Sequence, residues 1–73
     1  MIPLAEHEAW VEYMRASVAS NEAFLRWQEA RGGDTDVAKE CLTVSRQTLR
    51  ESEVMLAEVR RMTSAQSAEG SAQ

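Results

Sequence analysis

The feature that most constrains this chain is its single internal break, Arg31-Gly32-Gly33-Asp34-Thr35-Asp36. Two adjacent glycines carry a large entropic cost inside a helix and readily supply the left-handed conformation that ends one. Asp34-Thr35-Asp36 then offers N-cap side chains and negative charge for the first turn of a following helix. Residues from about Pro3 to the break read as one helix, and residues from the break to about Thr63 as another. The predicted fold is all-α: an antiparallel helical hairpin over 1–63, followed by a flexible tail over 64–73.

The first segment carries an aliphatic seam. Leu4, Val11, Val18 and Leu25 recur every seven residues, with Met14 beside them. Pro3 suits a first helical turn, and Glu6 and Glu8 sit favourably near the positive end of the dipole. Glu8, Glu12, Arg15 and Arg26 fall on one flank. The aromatics do not share the seam. With Leu4 at 0° and about 100° per residue, the seam occupies roughly 280–360°, Trp10 lies near ~240°, Phe24 near ~200°, Tyr13 near ~180° and Trp27 near ~140°. The apolar arc is then about 220° wide, against the ~100° that one packing partner covers. Another part of the chain, a second copy or a different protein must cover the remainder.

The second segment repeats Leu42, Leu49 and Leu56 every seven residues, and Cys41, Ser45, Ser52, Met55, Val59 and Met62 extend that face. Ser45 and Ser52 leave room for bulky residues of the first helix. Lys39, Arg46, Arg50, Glu53, Glu58 and Arg61 take the other side, with Val54 exposed among them. From Thr63 the sequence turns to Ser, Ala and Gln without large apolar residues, so a disordered tail is expected over 64–73.

Size and charge narrow the function classes. A 73-residue chain makes at most one small domain, whose core supplies about 3–5 kcal/mol. One cysteine and one histidine give neither an internal disulfide nor a structural zinc site. The net charge of −4 opposes a duplex nucleic-acid binder, and no segment has the length and apolarity of a membrane span. The acidic start is unlike a signal peptide, and the lone thiol suits a reducing compartment, so a cytoplasmic location is expected.

No motif identifies a reaction. His7-Glu8 begins like a zinc-protease helix, but Val11 stands where the second histidine belongs. Cys41 reads as a buried small hydrophobe. Gly32-Gly33 lacks the strand and the Lys-Ser/Thr of a phosphate loop. With no acid/base pair and no nucleophile–base set, the sequence predicts no enzyme, metal or cofactor. What competes with a purely structural reading is the aromatic arc. Trp10, Tyr13 and Trp27 are candidate partner-binding residues, because interfaces concentrate binding energy in such side chains. Glu6, Glu8 and Glu12 are either an acidic contact for a basic partner or a solvated helix start.

Length, acidity, helical pattern and the opening Met1-Ile2-Pro3-Leu4-Ala5-Glu6 resemble the small RNA-polymerase-binding transcription regulators of lytic Xanthomonas-infecting phages. The resemblance spans the chain in size and character and contains no signature motif. It implies binding to bacterial RNA polymerase near the N-terminal part of β′ and the β flap, loosening of σ, blocked promoter recognition and an effect on termination. The alternative from the residues is a small helical co-chaperone or an immunity-type interaction protein.

Overall fold

The computed structural model of the chain describes residues 2–71, with side chains from Ile2 through Gln66. Helix α1 spans Leu4–Ala30 and helix α2 spans Asp36–Ser71; they pack against each other as an antiparallel hairpin. No strand occurs among the described residues.

The turn closes as the glycine pair demands. The Gly32 N–H donates to the Glu29 carbonyl (3.2 Å) and the Gly33 N–H to the Gln28 carbonyl (2.9 Å), the two bonds of a Schellman cap. Gly32 has φ +71°, which a Cβ disfavours. At Gly33 a Cβ would lie 2.6 Å from Gln28 Oε1, the end of a flexible side chain that can move aside. Helix α2 starts on Asp34, whose Oδ1 accepts from the Asp36 N–H (2.9 Å), and on the Thr35 carbonyl, which accepts from the Lys39 N–H (2.9 Å). At the other end, Pro3 stands just outside α1 rather than in its first turn. Its carbonyl accepts from the Glu6 and His7 N–H groups, which its own missing N–H does not hinder.

The core is narrow. Val11, Met14 and Val18 of α1 meet Ala38, Leu42 and Leu56 of α2, all buried. Leu4, Leu25 and Leu49 are only half-buried, because they lie toward the ends or edge of a two-helix contact with nothing above it. The expectation that Cys41, Met55 and Met62 join this face is corrected: all three are exposed. They lie about 60–120° around the helix from Leu56, outside the arc that one neighbouring helix covers. Val54 is exposed, as its place among charged residues predicts.

The expected tail begins at Ser64; the described backbone of α2 is helical to Ser71, with side chains described to Gln66, and Ala72 and Gln73 lie outside the described residues. Ala65, Gln66, Ala68 and Glu69 are good helix formers and no strong breaker precedes Gly70, so the helix continues past its packing partner. No helix among the described residues is long and apolar enough to cross a membrane.

Candidate functional site: a two-sided hairpin

Because the helices are antiparallel, the lower-angle flank of each seam faces the same side of the hairpin. The polar bridges show what each side contains. On one side, Arg15 pairs with Glu53 (3.2 Å) and Arg60 with Glu8 (3.0 Å), tying α1 to α2 through charges. On the other side, Trp10 Nε1 donates to Ser52 Oγ (2.9 Å), and Asn21 Nδ2 donates to Ser45 Oγ. The two serines pass the bonding on to their own helix, Ser52 to the Thr48 carbonyl (2.7 Å) and Ser45 to the Cys41 carbonyl (2.8 Å). The gaps between leucines thus receive an indole and an amide. These four bridges place residue i of α1 roughly level with residue 66 − i of α2, at ~1.5 Å per residue.

The side opposite the ion pairs is apolar and open. Trp10 is 50%, Tyr13 63%, Phe24 44% and Trp27 54% exposed, so the surplus aromatic arc of α1 is not covered by α2. The rings form two i,i+3 pairs. Trp10 and Tyr13 stack with centroids 5.6 Å apart near the open end, and Phe24 and Trp27 lie 5.9 Å apart near the turn. The Arg31 guanidinium sits 4.5 Å over the Trp27 ring, a cation–π contact. From α2, exposed Val37, Cys41, Val44, Met55 and Met62 continue the same side. Two shallow grooves run between the helices there. Ile2, Glu6, His7, Trp10 and Met55 line one, and Asn21, Glu40, Cys41, Val44 and Ser45 line the other.

The sequence-derived candidates therefore separate. Trp10, Tyr13 and Glu6 come together on the apolar side at the open end. Trp27 lies at the outer edge near the turn, with Phe24 and Arg31. Glu8 and Glu12 belong to the charged flank, where Glu8 is engaged by Arg60. Met55 and Met62, which the sequence places on the seam face, flank the aromatics instead, together with Val37 and Val44. With Leu42 at 0° these four fall near ~200–220°, the flank that Phe24 and Trp10 occupy in α1, and that phase carries the signal.

No three His, Cys, Asp or Glu side chains among the described residues are grouped to hold a metal ion. His7 lies half-buried beside Trp10 at the groove edge. A hydrogen bond from Arg61, then the Arg61 charge, holds the exposed Glu58 carboxyl below its ordinary range. That pair is local to α2, its members three residues apart. No protein-family model, curated protein or solved structure matches this chain.

Proposed function

We propose that this chain is a non-catalytic regulator that acts by docking its aromatic side on a larger protein. The observation carrying this reading is that all four aromatic side chains are left substantially exposed although the hairpin is otherwise complete. Exposed aromatic clusters of this kind on a small protein mark interaction sites. Trp10 and Tyr13 act as the anchor, since their stacked rings present a large area at low entropic cost, and Glu6 beside them favours a basic partner surface.

Bacterial RNA polymerase is the partner proposed first, on the resemblance of the chain's length, acidity and N-terminal residues. In that reading the hairpin binds the β′ N-terminal region and the β flap, impairs σ-dependent initiation and alters termination in the host cytoplasm. The test is calorimetry against a β′ N-terminal fragment, together with promoter-complex formation in the presence and absence of the protein. Saturable binding and fewer promoter complexes are expected. Absence of binding to core polymerase and to the fragment would remove the polymerase reading.

A further inference from the structure

We propose that, free of other partners, this chain is a two-fold dimer in which the aromatic side of one hairpin covers that of a second copy, α1 on α1 and α2 on α2, with opposite ends together.

Exposure gives the first argument. Trp10, Tyr13, Phe24, Val44 and Met55 are each 44–63% exposed, and all lie on one side of the hairpin. Large side chains from both helices are therefore open on the same side, as a face-to-face contact between two copies requires.

Spacing along α1 gives the second. A two-fold axis crossing the apolar side between Val18 and Ala19 sets residue i of one α1 level with residue 37 − i of the other. Tyr13 then meets Phe24 of the second copy, and Trp10 comes level with its Trp27. Between the two aromatic pairs this side carries only small or polar groups, Ser17, Ser20 and Asn21, so the helices can approach at the axis. The same operation acts on α2 about a level near residues 47 and 48. It brings Met55 to within about one residue of Cys41 of the second copy, and Val37 level with Glu58 and Val59. The aromatic row of α1 thus faces a row of the same kind, the self-complementarity an isologous interface requires, while the α2 rows mix apolar and acidic groups, with Glu40 beside Cys41 and Glu51 beside Met55.

Charge selects this orientation. Glu6 lies on the apolar side at the open end, and Arg31, stacked on Trp27, lies at the turn end. Six and 31 sum to 37, so the antiparallel axis sets each Glu6 level with Arg31 of the second copy, and the dimer gains two such pairs. With like ends together, the Glu6 carboxylate has no opposing Arg31.

Sedimentation equilibrium of the full chain alone, over a concentration series, tests the association. A mass of twice 8.2 kDa is expected. Phe24→Glu should return it to the single-chain mass with helical circular dichroism retained. Met55→Cys tests the orientation. Within one chain, residues 41 and 55 are about 21 Å apart along α2 and cannot join. Oxidised Met55→Cys should therefore migrate as a covalent dimer on a non-reducing gel, whereas the wild-type protein, whose two Cys41 thiols lie far from the axis, should not. A single-chain mass at every concentration overturns the dimer. A dimer that Met55→Cys fails to cross-link, or that Phe24→Glu leaves intact, overturns this face and orientation. If Phe24→Glu loses helicity, the cross-link decides alone. The measurement uses no polymerase, so its failure is distinct from failure of the partner reading.

Discussion

The Trp10 indole donates to the Ser52 hydroxyl across the helix pair, yet half of the residue remains open to solvent. One edge of the ring is fixed by the fold and one face is offered outward. Such a side chain is already ordered before a partner arrives, which lowers the entropic cost of docking. Trp10→Phe should remove the bridge while keeping most of the apolar area, and Trp10→Ala should remove both. The expected loss of stability is about 0.5–1.5 kcal/mol for Trp10→Phe. Partner binding should fall by about 2 kcal/mol or more for Trp10→Ala. Calorimetry of binding beside thermal unfolding separates the two effects; equal binding by wild type and Trp10→Ala would assign the indole a purely structural role.

The core is small enough that one truncation decides folding. Leu56→Ala should cost about 2–5 kcal/mol, comparable to the whole stability of such a domain. Leu49→Ala should cost less, since Leu49 is only half-buried, and Val54→Ala should change little. Urea unfolding followed by circular dichroism ranks the three. A larger loss at Leu49 than at Leu56 would mean that the helices cross in a different register.

The two glycines should respond differently to alanine. Gly32→Ala forces a side chain into a left-handed conformation at a cost of roughly 1–2 kcal/mol. Gly33→Ala has no such backbone strain and must only displace the end of the Gln28 side chain. Thermal unfolding should place Gly32→Ala clearly below Gly33→Ala, and the reverse order would contradict the cap geometry.

The hairpin is legible in the sequence because its determinants are local. A glycine pair followed by Asp34 ends one helix and begins another through bonds spanning only a few residues, and Val11, Met14 and Val18 mark the contact line by period alone. The exposure of the aromatics is not legible in the same way. Periodicity fixes the phase of Trp10 or Phe24 around α1, but whether anything lies over that phase depends on the shape of the whole assembly. Cys41, Met55 and Met62 show the same limit from α2: a wheel places them beside the leucines, and only the geometry of a single opposing helix leaves them outside. Glu8 is a further case, since its use by Arg60 joins residues 52 positions apart.

Acid should weaken one local contact on α2. The Glu58 carboxyl is held below the ordinary carboxylate range by its hydrogen bond with Arg61 and by the Arg61 charge. A carboxylate lowered in the folded state contributes stability above its unfolded pKa and loses that contribution as pH falls through the lowered value. Both side chains are exposed, so the effect is small. Wild type and Glu58→Gln should differ slightly in unfolding temperature at neutral pH and converge in strong acid. A difference that grows on acidification would reverse the sign expected of this pair.

The three N-terminal acids should separate by the side of the hairpin they occupy. Glu6 lies in the groove beside Trp10, whereas Glu8 is turned to Arg60 on the opposite side and Glu12 lies on that same charged flank. Charge reversal at Glu6 should slow association with a basic partner surface, more at low salt than at high salt, because steering is screened beyond about 8–10 Å under physiological conditions. Reversal at Glu8 should cost at most about 1 kcal/mol of stability through its exposed ion pair. Its effect on association should be smaller, since the charge faces away from the docking side. Stopped-flow association at two salt concentrations, with Glu6→Lys, Glu8→Lys and Glu12→Lys compared against wild type, ranks them. A larger salt-dependent effect at Glu8 or Glu12 than at Glu6 would move the partner to the charged side and leave the aromatic side to another occupant.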